Sequence, residues 1–357
     1  MQLNTILQEA VKKRATDIFV TSAVAPAFRI NSEIVPSESK ALSTEDFETL
    51  VKDLYSNNAK RSMKKLSETG DDDFSFSMQG IGRFRVNVSM QKGEIGIIIR
   101  VLPTFLPKYE DINIPESIMK IALQKNGMVL VTGAVGSGKT TTLACIIDKI
   151  NSERAKHVIT IEDPIEFIHQ NKKSIITQRE IGLDTEDYES GLKVALRQAP
   201  DVILAGEMRD AKTMEVAMSA AETGQLFFST LHTASAVGAV DRIINSFNAN
   251  EQPQVRFQLS MILRAIISQK LIPSVNGELK PAFEVLVTTP AVRHMIREGK
   301  THQIYSTIFS SRQMGMQTMD SSIFSLYTEG KISSENAIFY STYPEEMACK
   351  VGETEIT

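Results

Sequence analysis

The sequence predicts an α/β chain in two parts: a small α+β domain over residues 1–102 and a larger domain over 116–342 built on a parallel sheet. Three observations carry this prediction. Up to about residue 102, short segments with period-two alternation are mixed with amphipathic helices. Beyond residue 116, near-continuous apolar segments alternate with helical ones, as strands covered on both faces do. Between them, Pro103, Pro107 and Pro115 punctuate a stretch, 103–115, that reads as an interdomain linker and the place for a hinge.

The elements follow in order. Leu3, Ile6, Leu7, Ala10 and Val11 recur at helical spacing, so the chain opens with an amphipathic helix. Strand-like segments follow at Ile18–Thr21 and Phe28–Ile30, then a helix from Thr44 to Tyr55 with Phe47, Leu50, Val51 and Leu54 on one face. Asp73–Met78, Arg83–Val88 and the Ile95–Val101 stretch alternate as half-buried strands do. In the larger domain the apolar strands are Met128–Thr132, Val158–Ile161, Val202–Ala205 and Leu226–Leu231. From about Pro253 the pattern reads as mostly helical, and residues 343–357, polar and mostly acidic, read as a frayed, flexible tail. The methionines between Met314 and Met319 fit core packing or a partner groove, packing being the plainer reading.

Composition narrows the function. With 42% hydrophobic and 23% charged residues, the 357-residue chain has enough apolar material for a core in each domain. A net charge of −4, with Lys and Arg scattered among carboxylates, offers no stripe for direct contact with nucleic acid. The two cysteines, Cys145 and Cys349, have no paired spacing, which excludes a cysteine zinc ribbon and fits a reducing cytosol. Charges interrupt the apolar pattern of Met1–Ala15, so it reads as a helix and not a signal peptide. No apolar run approaches the roughly 20 residues of a membrane span, so any work at a membrane is expected from its surface, and the cysteine usage makes the expected location cytoplasmic.

Gly133-Ala134-Val135-Gly136-Ser137-Gly138-Lys139-Thr140 matches G-x-x-x-x-G-K-[ST] in full, between an apolar strand and a helix-forming stretch. Gly133, Gly136 and Gly138 let backbone N–H groups, Ser137 among them, converge on phosphate oxygens at a helix N-terminus. In this pattern Lys139 reaches the β- and γ-phosphates, the Thr140 hydroxyl ligates Mg²⁺, and Thr141 follows in the same turn. A chance match in a chain this long has odds of roughly one in a hundred.

Hydrolysis needs acids as well. Val202–Ala205 ends in Gly206-Glu207, which sets a carboxylate at the carboxyl end of a buried strand, where open parallel sheets bind ligands. Gly206 stands where this second nucleotide motif usually has Asp, leaving the acidic role to Glu207. A second apolar strand runs into Glu162-Asp163-Pro164-Ile165-Glu166, three carboxylates that also fit a solvated acidic turn. His232 closes the Leu226–Leu231 strand at the same sheet edge, which suits a γ-phosphate sensor. Arg83 and Arg85 share the polar face of one strand and Arg100 closes a neighbour; by themselves they read as a solvated face, although P-loop motors also use such arginines on phosphate.

In order and spacing, the phosphate loop, Glu162–Glu166, Asp201–Asp210 and Thr223–Ala236 resemble the Walker A, Asp box, Walker B and His box of secretion-type ATPases. Gly206–Asp210, Met295–Gln303 and Gly315–Asp320 are similar to the pilus-retraction branch, the PilT family. The resemblance implies a RecA-like P-loop NTPase domain with a helical C-terminal part and a smaller PAS-like N-terminal α+β domain, assembled as a homo-hexamer with ATP between the domains. It implies Glu166 as general base, Glu207 holding Mg²⁺ through water beside Thr140, and His232 as γ-phosphate sensor. Arg83, Arg85 and Arg100 would approach the nucleotide as the domains close, and Ala291-Val292-Arg293 matches a region tied to retraction. The implied partners are an inner-membrane pilus platform protein and, in some settings, a second retraction ATPase, met at the cytoplasmic face of the inner membrane. An accessory retraction paralogue shares most of these motifs. Assembly or type II secretion ATPases carry an extra N-terminal region and a four-cysteine module not seen here, and a nucleotide-binding protein without turnover would be expected to have lost Lys139, Glu166 or Glu207. One departure is Gln225, where the family has a second His-box histidine. Gln cannot become a cation, so hydrolysis should survive with less titration near neutral pH.

Overall fold

A computed structural model describes residues 3–30, 33–56, 62–103 and 105–352. The chain divides into two compact units, one of Met1–Leu106, Asp163–Ile168 and Glu180–Glu186, the other of Pro107–Glu162, His169–Arg179 and Asp187–Thr357. The polypeptide therefore passes between units after residue 106 and again at 162/163, 168/169, 179/180 and 186/187.

The first unit contains α1 (Leu3–Lys12), β1 (Asp17–Thr21), β2 (Ala27–Ile30), β3 (Glu33–Pro36), α2 (Thr44–Ser56), α3 (Lys64–Thr69), β4 (Asp71–Met78), β5 (Gly82–Gln91) and β6 (Glu94–Leu102). Its strands form an antiparallel sheet in the order β3-β2-β1-β6-β5-β4. Leu3, Ile6, Leu7 and Ala10 of α1, with Phe47, Leu50, Val51 and Leu54 of α2, are buried in one core with Phe84, Val86 and Val88 of β5. The strand period of two therefore sends Arg83 and Arg85 to the opposite face. There Arg85 sits in register with Arg100 on one side and Ser75 on the other. β3 left no trace in the pattern because all four of its residues are exposed on an edge.

The second unit contains α4 (Glu116–Ile121), β7 (Gly127–Thr132), α5 (Lys139–Glu153), β8 (His157–Glu162), β9 (Ile175–Glu180), α6 (Tyr188–Ala195), β10 (Val202–Ala205), α7 (Ala211–Glu222) and β11 (Leu226–Leu231). It continues through α8 (Ala236–Asn245), α9 (Gln252–Ile262), β12 (Leu263–Pro273), β13 (Leu279–Val287), α10 (Pro290–Arg297), α11 (Ile304–Ser310), α12 (Met319–Thr328), α13 (Ser334–Tyr340) and α14 (Pro344–Val351). The sheet order is β13-β12-β7-β11-β10-β8-β9; β12, β7, β11, β10 and β8 are parallel and β13 runs against β12. β7, β10 and β11 are buried along their full length, which is why they read as continuous apolar runs. Phe227 and Phe228 point to opposite faces, both fully buried, each worth about 1.5–3 kcal/mol.

Two segments differ from the sequence pattern. Residues 263–287, read as helical, form the β12–β13 hairpin, because an apolar run buried on both faces has no period that separates strand from helix. Residues 344–351, read as a frayed tail, form α14 with Met347 and Ala348 buried. The Asp320 carboxylate accepts the N–H groups of Thr342 and Tyr343 just before it, and Glu345 and Glu346 suit its N-terminal dipole. Residues 353–357 lie outside the described residues. Met316 and Met319 are buried, in line with packing, while Met314 is exposed.

Candidate nucleotide site

Parallel strands bring their carboxyl ends to one edge, and register shows what arrives there. Thr132 pairs with Leu231, so Gly133 and His232 are the next residues out, and the Gly133 N–H donates to the Leu231 carbonyl. Ala205 pairs with Ile161, so Gly206 and Glu162 follow side by side, with the Gly206 N–H on the Ile161 carbonyl at 2.8 Å.

The phosphate loop is shaped by its glycines. Gly133 has φ +147° and Gly138 φ +85°. A Cβ on Gly133 would stand 2.4 Å from the Gln269 carbonyl oxygen and 2.6 Å from Ser137 Oγ; on Gly138 it would meet Gln269 Nε2 at 2.8 Å. The loop therefore lies directly on β12. Helix α5 starts at Lys139 with no side-chain cap, leaving its first N–H groups without one, as anion sites require. Ser137 Oγ is buried with no hydrogen-bond partner, and Lys139 Nζ donates to the carbonyls of Gly133 and Ala134 at 2.9 and 2.8 Å. Burial pushes the Lys139 ammonium below its ordinary pKa, and the Glu207 carboxylate pulls it back. A cradle too close for side chains, an orphaned buried hydroxyl and a desolvated ammonium together fit a phosphate group. Thr140 and Thr141 occupy the first turn of α5 behind the cradle.

Glu207 follows the turn after β10, where the Thr230 hydroxyl donates to the Gly206 carbonyl at 2.6 Å. Its carboxylate contacts Arg209 Nη2 at 2.5 Å and stands 3.4 Å from His232 Nε2. Gly206 suits its place because a Cβ there would meet the Tyr188 hydroxyl at 2.8 Å. The two aspartates that bracket this motif have structural partners: Asp201 accepts from Lys156 and the His157 N–H, and Asp210 caps α7 through the Thr213 N–H. Thus the phosphate loop, Glu207 and His232 share one edge of one unit.

The acidic box is split. Glu162 is held in the second unit by the Thr160 hydroxyl at 2.6 Å and Gln178 Nε2 at 3.2 Å. Asp163–Ile168, carrying Glu166, belongs to the first unit. Burial pushes the Glu166 carboxyl above its ordinary pKa, while the Arg85 and Arg100 guanidinium groups draw it down. Arg85 holds Asp73 through two nitrogens at 3.1 and 2.7 Å, and Arg100 Nε donates to Asp17 at 2.9 Å with its side chain largely exposed. Arg83 is tied to Glu180, Ser75 and the Ile165 carbonyl. All three arginines thus have partners within their own unit.

Gln225 lies away from this edge. It sits before the amino end of β11, its side chain accepting from Thr223 at 2.8 Å, whereas His232 follows the carboxyl end. The intervening strand separates them by about 20 Å, at about 3.3 Å per residue. Within one chain Gln225 and His232 therefore stand at opposite ends of β11.

Three residues escaped the sequence reading. Gln269 is buried on β12, accepts from Thr142 at 2.8 Å and backs the phosphate loop. Ser268 beside it accepts from Thr132 at 2.9 Å. The signal was a Ser-Gln pair inside an otherwise apolar run, since buried polar residues are the informative ones. Gln269 also lines a cavity of about 370 Å³ next to the loop, with Gly138, Thr141, Asn113, Leu271 and Pro281. Glu180, at the end of β9, gave no such signal. Among the described residues no cluster of three His, Cys, Asp or Glu could hold a metal, and no helix is long and apolar enough to cross a membrane.

The family model for type II/IV secretion system proteins matches residues 1–322. The chain is 39% identical to the type IV pilus retraction ATPase PilT of Pseudomonas aeruginosa, over 97% of this chain and 99% of that one. It is 40% identical to the type IV pilus ATPase PilU of the same species, over 95% of this chain and 88% of that one. Among solved structures, that of the pilus retraction motor PilT with bound ADP superposes with TM-score 0.89 at 43% identity, covering 97% and 98% of the two chains. The ATPase DotB of Legionella pneumophila gives 0.78 at 28% identity, covering 94% of each. The larger unit is thus a RecA-like ATPase domain, and the chain belongs to the type II/IV secretion system protein family and, within it, to the PilT-family pilus ATPases.

Proposed function

We propose that this chain is a Mg²⁺-dependent ATP hydrolase that works as a homo-hexamer at the cytoplasmic face of the inner membrane to drive retraction of type IV pili. The observation that carries the reading is the fit to the PilT retraction motor along nearly the whole of both chains. The shared edge of phosphate loop, Glu207 and His232 supports the chemistry. Lys139 and the loop N–H groups bind phosphate oxygens, Glu166 takes the proton of the attacking water, and His232 senses the γ-phosphate. Thr140 and, through water, Glu207 would hold Mg²⁺, which when bound neutralises phosphate charge. A site with one hydroxyl and one carboxylate suits a hard cation that takes its remaining ligands from phosphate and water. The cavity beside Gly138 is within the range of small-molecule pockets, about 300–1,000 Å³, and suits the nucleoside end. Arg85 and Arg100 are the arginines that would meet developing charge on the phosphate. The mechanical consequence is removal of pilin subunits through an inner-membrane platform protein.

The likeness to PilU supports a second reading, an accessory retraction ATPase acting beside another one. The fit to the PilT retraction motor, TM-score 0.89 at 43% identity, supports the first reading. Purified Lys139→Ala should lose nucleotide binding. Glu166→Gln and Glu207→Gln should bind ATP yet lose turnover, by about 10²–10⁴-fold for the base. Wild-type turnover in either carboxylate variant would overturn that residue's role.

A further inference from the structure

Ile165 immediately precedes Glu166, and both of its backbone polar groups are held by side chains, one half-buried and one buried. Its carbonyl accepts from Arg83 Nε at 2.8 Å, and its N–H donates to Glu180 Oε2 at 3.1 Å. The two holders are joined to each other: Arg83 Nη2 contacts Glu180 Oε2 at 2.5 Å. Ser75 Oγ donates to both Glu180 oxygens at 2.6 and 2.7 Å and accepts from Arg83 Nη2. Ser77 Oγ takes the remaining edge of the guanidinium, accepting from Nη1 at 3.1 Å. Glu180 is 3% exposed and Ser75 2%. An arginine whose Nε, Nη1 and Nη2 are all committed in a rigid fork is not free to reach a phosphate without releasing this backbone.

We propose that Arg83, Glu180 and Ser75 form a clamp that positions Glu166 on the N-terminal sheet. This rests on the reading of Glu166 as the general base. The base is then carried by the N-terminal unit, while Lys139, Thr140, Glu207 and His232 belong to the other. Arg83 is then a positioning residue in place of a phosphate contact.

The test uses the full chain with Arg83→Lys, which keeps charge but loses the fork, and Glu180→Gln, which keeps shape but loses charge. Turnover, ATP affinity and amide hydrogen exchange of residues 163–168 are measured for each and for the double variant. A clamp predicts a kcat loss of about 10–100-fold in both. It further predicts ATP affinity within about twofold, faster exchange at 163–168, and a double variant little slower than the worse single. Wild-type kcat and exchange in Glu180→Gln would overturn the clamp. So would an Arg83→Lys variant that loses ATP affinity while Glu180→Gln is silent, which would return Arg83 to the phosphate. If Glu180→Gln fails to fold, Ser75→Ala carries the same readouts with a smaller expected effect. Glu166→Gln is run alongside: turnover retained there removes the base assignment, and the exchange measurement still decides whether the clamp exists.

Discussion

Gly133→Ala and Gly136→Ala provide a paired perturbation whose difference follows from the structure. Both glycines have positive φ, +147° and +78°. A Cβ on Gly136 meets nothing within 4 Å, so its cost is that of a left-handed residue, about 1–2 kcal/mol. A Cβ on Gly133 overlaps the Gln269 backbone oxygen at 2.4 Å, and neither β12 nor the loop can yield without losing hydrogen bonds. Its dihedral costs about 1–3 kcal/mol and the overlap about 1–3 more. The difference, about 1–4 kcal/mol, corresponds to roughly fivefold to three decades in the population of the binding-competent loop at 1.4 kcal/mol per decade. Titration with a fluorescent ATP analogue, alongside thermal unfolding, should show Gly133→Ala binding at least about fivefold more weakly than Gly136→Ala. Equal affinity in the two variants would refute the claim that β12 fixes the loop.

Other outcomes follow from the same geometry. Because burial raises the Glu166 carboxyl and a base must be ionised, turnover should fall as pH drops through a value above the ordinary carboxylate range. Arg85→Gln removes the leading opposing cation, so the acid limb of kcat/KM should move to higher pH; an unmoved limb would detach Arg85 from the site. Gln225→His should leave the pH–rate profile of the isolated enzyme unchanged, since the site lies at the far end of β11; a new limb near neutrality would contradict this. Cys145, buried with its thiol pushed up to about 12, should resist a thiol reagent until unfolding while exposed Cys349 reacts at once; simultaneous labelling would disprove it. Met347→Ala should cost about 2–5 kcal/mol in denaturant unfolding, and an unchanged midpoint would restore the frayed tail.

Much of the site was legible because its chemistry is local. A glycine-rich loop between an apolar strand and a helix, and acids or a histidine ending apolar strands, are statements about consecutive residues, and parallel topology then brings those strand ends together. What was illegible depends on partners distant in sequence. Glu162 and Glu166 are four residues apart, yet one is pinned by Thr160 and Gln178 and the other stands beside a backbone held by Arg83 and Glu180. Pattern shows where a carboxylate sits along the chain and not which body holds it. Motif proximity likewise hid a whole strand between Gln225 and His232. The β12–β13 hairpin lacked a period because both faces are covered, and with it went Gln269 behind the loop.

The central claim, that ATP turnover by this chain powers retraction, is tested most directly by counting surface pili. The counts are made in the organism that encodes it, with the gene deleted and, separately, carrying Lys139→Ala. The account predicts excess pili with lost surface motility in both strains. Bald cells would contradict it by reversing the direction of the motor, and normal pilus numbers with normal motility would remove the chain from retraction.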